Sequence, residues 1–252
     1  MTVESVLEEV REPRYLQVKG QIADRIAQLR PGKLIPPERD LAVVLGTSRT
    51  TIRKAVTELV AEGRLVRRQG SGTYVAEPKM AWPLTVSGFA GQPEAEGLRA
   101  HTVLLGAERL AAEGELAEHL GLSPGDEALS LRLLRSVKDV PMALERVYLS
   151  ARRYPGLETE LAASGSVYQI LRERVGDRVA HAVETIETVP AAPHEAALLD
   201  TEIGSPMLFV TRHGHSADGE PVEWVRTWYR GDRYSFVARI SRPQAAPGIT
   251  YS

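Results

Sequence analysis

The chain has no cysteine, which excludes disulfides, thiolate catalysis and thiolate metal sites. No apolar run approaches the roughly 20 residues of a membrane span. The acidic start MTVESVLEEV is not a signal peptide, so a cytoplasmic location is expected. There is no internal repeat, no low-complexity run and no phosphate-loop motif. No Ser-His-Asp spacing or paired-carboxylate motif stands out, which weighs against an enzyme. His213 and His215 alternate on one predicted strand, but no third ligand is near them, so neither a metal nor a cofactor is assigned. His101, His119, His181 and His194 are scattered and carry no assignment.

Net charge is also nearly absent, at −2, but this sum hides an asymmetry. Arg11 to Pro78 holds 13 Lys+Arg against 7 Asp+Glu, whereas Lys79 to Ser252 holds 18 against 23. A basic segment followed by an acidic one suits a chain that grips a polyanion at one end. With 252 residues, 43% of them hydrophobic and 25% charged, two soluble globular domains are expected.

The informative stretch is PPERDLAVVLGTSRTTIRKAVTELVAEGRLVRRQGSGTYV, from Pro36 to Val75. Ala42 and Leu45, then after Gly46 Ile52, Ala55, Val56, Leu59 and Val60, recur at helical spacing, predicting two short helices that share an apolar face around a turn. Ser48 is placed to cap the second helix. Arg49, Thr50, Thr51, Arg53 and Lys54 crowd its first two turns, where cations are unfavourable unless something negative faces them. A DNA phosphate or guanine edge would be that partner. Gly63 closes the helix, and Arg64–Arg67 and Thr73–Val75 read as two strands joined by Arg68, Gln69, Gly70, Ser71 and Gly72. The order of parts is that of a winged helix, with the wing tip able to reach a minor groove or phosphates. Arg39, at the start of the preceding helix, is assigned to phosphate contact rather than to a neighbouring carboxylate.

Around this motif, residues 1 to 12 read as a frayed tail, and Pro13 to Leu29 as a helix whose stripe packs on the motif helices. The DNA-binding domain is placed at 11–76 and a semi-extended linker at 77–84, with two prolines and no periodicity. From 85 to 243 strands alternate with helices. Strands are expected at Leu104–Arg109, Glu127–Val137, Pro141–Leu149 and Arg178–Thr188, and helices at Gly114–Leu120, Ser166–Arg174 and Pro193–Leu199. Met207–His215 and Pro221–Tyr229 form a hairpin, and Ser235–Ser241 a last strand. The fold class is α+β: a winged helix-turn-helix domain, then a mostly antiparallel α+β domain. Polar residues sit inside these strands, namely Arg132, Arg135, Glu145, Glu223, Arg226, Tyr229 and Arg230. One by one they read as solvated faces or cross-strand pairs. Together, beside Ser166 and Tyr168 opening a helix, they suggest an anion site.

Two resemblances follow from these residues. PPERDLA, SRTTIRKAV and RxQGSGTYV resemble the DNA-binding domain of the GntR family of bacterial transcription regulators, in which Arg39, Arg49 and Arg53 match DNA-contacting arginines and Gln69-Gly70 the wing tip. PMALERVYL, SVYQIL, ETIET and PVEWVRTWYRGDRYSFVARISRP resemble the UTRA effector domain of the HutC-type branch, a chorismate-lyase-like fold, most nearly in the NagR/DasR type that senses amino-sugar phosphates. This second resemblance implies a phosphate grip from Arg135, Ser166, Tyr168 and the loop Ser87, Gly88, Phe89. It implies that Glu145, Glu223 and Tyr229 serve the sugar. The pattern's first phosphate arginine falls on Leu133, and the loss of one charge-assisted bond costs roughly 1.5 to 3 kcal/mol if nothing replaces it. Arg132 faces the other side of a regular strand and could substitute only through a bulge.

The expectation is a homodimeric transcription regulator, a repressor in sign, that binds a pseudo-palindromic double-stranded operator and a small-molecule effector. Glucosamine 6-phosphate or N-acetylglucosamine 6-phosphate is the implied ligand, with an uncharged ligand as the alternative. A chorismate-lyase-like enzyme fused to a DNA-binding head and an architectural DNA binder without ligand are the readings from other classes.

Overall fold

The computed structural model describes residues 13–68, 70–85, 100–163 and 167–239, with the backbone alone for Tyr168 and Asp177. The expected tail at 1 to 12 lies outside the described residues. In the head, α1 (Arg14–Ala27), α2 (Glu38–Val44) and α3 (Arg49–Ala61) precede a two-stranded wing of β1 (Leu65–Arg68) and β2 (Gly72–Val75). Val18, Ile22 and Ile26 of α1 fall four residues apart and bury against Ile52, Val56 and Leu59 of α3. Ser48 caps α3 by accepting the Thr51 N–H at 3.1 Å, and Glu62 and Gly63 end it, Gly63 at φ +71°. Lys19 ties α1 to the end of α3 through Glu58, at 3.1 Å, and Glu62. An isolated bridge from Leu34 to Tyr74 extends the wing by one short edge.

The second domain is built on one antiparallel sheet of six strands in the order β4-β5-β6-β9-β8-β7. These are β4 (Ala100–Ala111), β5 (Glu127–Val137), β6 (Val140–Ser150), β7 (His181–Pro190), β8 (Pro206–His215) and β9 (Pro221–Arg230). Side chains alternate between its faces. One face packs Leu131, Leu133, Val147 and Val225 under α5 (Leu157–Ala163) and α6 (Val167–Arg174). The other face is covered at one end by α4 (Gly114–Leu120), against Tyr148 and Trp224, and at the other by α7 (Pro193–Leu198), against Leu144 and Met207.

Two differences from the sequence reading matter for function. Half of the expected linker is a strand: β3 (Met80–Pro83) pairs in parallel with β10 (Tyr234–Val237), so only 77–79 joins the domains without regular structure. The reason lies in Trp82, which is 1% exposed and stacks on Tyr234 at 5.9 Å. Burying an indole recovers more than the prolines on either side cost. The helix α5 was not anticipated, because its apolar contacts are only Leu157 and Leu161.

Candidate DNA-reading surface and effector site

The first turns of α3, the start of α2 and the wing present one cationic surface. Arg49 and Thr50 are exposed and make no hydrogen bond or ion pair among the described residues. Arg53 and Arg39 are also exposed, at 70% and 71%, and each is held only by a half-buried carboxylate at the surface: Arg53 Nε to Glu38 at 3.2 Å and Arg39 Nε to Asp40 at 3.0 Å. Such pairs contribute little and are screened, so both guanidiniums can be given up to DNA. Ser48 and Thr51 are occupied with each other, their hydroxyls 2.8 Å apart, which makes them the structural start of the helix. Lys54 is exposed, and its ammonium sits 3.6 Å above the Tyr15 ring of α1. Arg68 lies over Tyr74 at 4.6 Å, and Gly70 turns the wing tip at φ +71°. Gln69 lies outside the described residues.

The second site lies on the α5/α6 face of the sheet, beyond the apolar cluster. Arg135 is 6% exposed, and its Nε and Nη2 donate to both oxygens of Glu145, at 2.9 and 2.5 Å, while Nη1 donates to Thr102 at 3.2 Å. Arg212, equally buried, donates through Nε to Glu223 at 2.9 Å and through Nη1 to Glu184 at 2.7 Å and the Thr85 carbonyl at 3.4 Å. Gly214 makes room for this arrangement: a β-carbon there would stand 2.7 Å from Glu223 Cγ. Tyr229 lies beside them, its ring 4.4 Å from Tyr234 and 5.2 Å from Phe236. A cleft lined by Thr85, Glu184, Val210, Tyr229, Tyr234 and Phe236 opens at this end.

The electrostatics follow from burial. Desolvation raises the Glu223 pKa, with Arg212 opposing it, and desolvation raises that of the Tyr229 hydroxyl, so it stays protonated. Burial alone would lower Arg135, but Glu145, with Tyr229 and Glu223, more than offsets it and the guanidinium stays charged. Three carboxylates, Glu145, Glu184 and Glu223, thus share two guanidiniums.

Of the residues expected to bind an effector, Arg135, Glu145, Glu223 and Tyr229 do converge. Ser87, Gly88, Phe89 and Ser166 lie outside the described residues, as does the Tyr168 side chain. Leu133 is 0% exposed in the cluster under α5 and α6. Arg132 pairs with Arg146 in an unbroken stretch of the β5–β6 register, so it points to the opposite face and does not replace the missing arginine. The residues that sequence reading missed are Arg212 and Glu184. Arg212 sits between two residues of no evident role in TRHGH, and only the three-strand register sets it beside Glu184 and near Glu223. His213 points the other way, 4.4 Å from His119.

A winged DNA reader joined to a sheet domain with a buried polar site defines a regulator with a sensory half. The comparisons agree. Residues 14–75 match the bacterial regulatory proteins of the gntR family, and residues 95–235 match the UTRA domain. The HTH-type transcriptional repressor PhnF of Mycolicibacterium smegmatis is 34% identical over 93% of this chain and 96% of its own. Its crystal structure superposes with a TM-score of 0.63, covering 90% of this chain and all of that one. The HTH-type transcriptional repressor NagR of Bacillus subtilis is 30% identical over 91% of this chain and 96% of its own. A probable fructoselysine utilization operon transcriptional repressor of Escherichia coli is 30% identical over 87% and 91%. The chain belongs to the gntR family of bacterial regulatory proteins and carries a UTRA effector domain. Its relatives are transcription regulators, and the enzyme reading is set aside on that ground.

Proposed function

We propose that this protein is a cytoplasmic repressor that binds its operator as a homodimer and changes operator affinity when a small polar metabolite enters the Arg135–Glu145–Arg212–Glu223 site. The observation that carries the reading is the place of β3. This strand leaves the DNA-binding head after three residues, and its Trp82 packs in the same cluster as Tyr229 and Tyr234 at the site. The turn Gly231-Asp232-Arg233 continues from Tyr229 and Arg230. It accepts Lys79 Nζ and the Met80 N–H on its carbonyls and touches Gly63 at the end of α3. A ligand that moves Tyr229 or Tyr234 therefore acts on the strand and the turn that hold the recognition helix. Any shift in operator affinity equals the ligand's difference in affinity for the two arrangements.

The ligand class supported best is a sugar derivative. Paired carboxylates and tyrosine hydroxyls match vicinal hydroxyls, the resemblance implies amino sugars, and one relative is named for fructoselysine utilisation. An amino-sugar phosphate is the first compound to test, and the buried apolar Leu133 favours the unphosphorylated sugar as the second reading. Thermal shift and calorimetry with glucosamine 6-phosphate and with glucosamine separate them. A ligand at 100 times its dissociation constant stabilises by about 2.7 kcal/mol. A shift with either sugar supports the site. No shift with either, at millimolar concentration, removes the amino-sugar reading.

A further inference from the structure

The sheet face opposite the effector site is covered at its two ends by α4 and α7, and between them three arginines stand in one row across the strands. Arg132 on β5 pairs with Arg146 on β6, and Arg146 with Arg226 on β9. Like charges directly opposite one another destabilise a sheet. All three arginines are half-buried, and among the described residues none makes an ion pair. Arg146 Nη1 donates to the Tyr148 hydroxyl at 3.5 Å, a long bond to a neutral group.

The surroundings make room for the row without neutralising it. Arg132 lies over Gly106 of β4, at the shift in the β4–β5 register, where an added β-carbon would stand 2.9 Å from Nη2. At the other end the Arg226 guanidinium lies 5.3 to 5.9 Å from the rings of Phe209, Trp228 and Trp224. The next row toward α4 is Ser130, Tyr148 and Trp224, in the same cross-strand order. Ser130 is 1% exposed and Trp224 8%, and neither Ser130 Oγ nor Trp224 Nε1 has a hydrogen-bond partner among the described residues. A buried polar group left in that state costs free energy. Glu108 and Glu187 border the face on its two edge strands, exposed and without an ion pair among the described residues, so the middle of the face is positive.

We propose that this row is a second ligand site, across the sheet from the effector site, and that it takes a small phosphoanhydride: free diphosphate or the diphosphate of a nucleotide. The groups left over are three cations, an indole N–H and a hydroxyl, all able to donate to an anion. Guanidinium forks match phosphate oxygens two at a time. Two strand spacings, about 10 Å, separate the ends of the row. Because the end guanidiniums are held over Gly106 and beside Phe209, two linked anionic groups meet the three cations better than one phosphate does. A bound anion also removes the repulsion along the row, so binding stabilises the fold.

The test is calorimetry and thermal melting of the full chain at constant ionic strength, with pyrophosphate as the probe. The wild-type chain is expected to bind it saturably, at least about tenfold more tightly than orthophosphate, and to melt at a higher temperature when it is bound. Arg146→Met keeps the apolar stem and removes the middle charge, so without the anion it should melt no lower than wild type. Both Arg146→Met and Arg132→Gln should bind pyrophosphate at least about tenfold more weakly. ADP separates the two sources of the diphosphate. Tighter binding of ADP than of pyrophosphate supports a nucleotide whose base reaches Phe209 or Trp228, and equal or weaker binding supports the free anion. No saturable binding at millimolar pyrophosphate overturns the proposal, as does orthophosphate binding equally well. Unchanged affinity in both variants also overturns it, since the anion would then sit elsewhere, as beside Arg135 and Arg212.

Discussion

The carbonyl oxygen of Asp232 occupies the place where a β-carbon on Gly63 would have to go: the two would stand 1.9 Å apart. Gly63 ends the recognition helix, and Asp232 lies in the turn beside the effector site, forked to Arg230 at 3.0 and 2.7 Å. The two domains therefore meet at a point where only glycine fits.

Gly63→Ala should break this contact as well as strain a backbone at φ +71°. Gly46→Ala is the control, since Gly46 has φ +57° and nothing within 4 Å of an added β-carbon. Both variants carry the left-handed penalty of about 1 kcal/mol. Only Gly63→Ala should also speed proteolysis in 77–79 and shift operator affinity. Equal behaviour of the two would remove the domain contact from the account.

Glu145→Ala should leave Arg135 buried without its bidentate partner and lower stability by roughly 3 to 5 kcal/mol in urea unfolding. A double change of Arg135 and Glu145 to Met and Gln should cost less than the two single changes added, because neither charge is then stranded. Additive losses would show that the pair is not coupled.

Leu133→Arg tests the place where the phosphate-binding pattern is broken. In the cluster under α5 and α6 the new guanidinium joins Leu131, Val147 and Val225, and Glu145, directly across the β5–β6 register from it, is already bound through both oxygens to Arg135. The expected result is a loss of roughly 3 to 5 kcal/mol, with no gain in affinity for glucosamine 6-phosphate. Tighter calorimetric binding of that compound would show that position 133 still faces the ligand.

Acid should weaken the fold through His213. Burial, and then the neighbouring His119 and His215, hold its pKa below the ordinary 6.5. As pH falls below 6.5 the unfolded chain takes up a proton that the folded chain refuses, so stability falls with pH. His213→Gln should flatten the melting temperature between pH 7.5 and 5.5 relative to wild type. An unchanged slope would assign the acid loss to other groups.

Much of the head was legible because its signals are local: a cap at Ser48, helical spacing from Ile52 to Leu59 and glycines at the turn and wing. The sheet strands were legible from alternation. Arg212 with Glu184 and Glu223 was not, since that cluster depends on the register of three strands set far apart in the chain. Nor was β3, because a parallel pairing between 80–83 and 234–237 leaves no local mark. The contact of Lys54 with Tyr15 joins residues 39 positions apart and was likewise invisible.

The most direct test of the account is selection of bound duplexes from a random pool by the full chain, repeated with Arg49→Ala and Arg53→Ala. The prediction is an enriched inverted repeat, with each variant losing about 1 to 3 kcal/mol at one position of each half-site and relaxing selection there. Enrichment of no sequence by the wild-type chain, or an unaltered motif with both arginines removed, would contradict the reading of α3 as the element that addresses DNA.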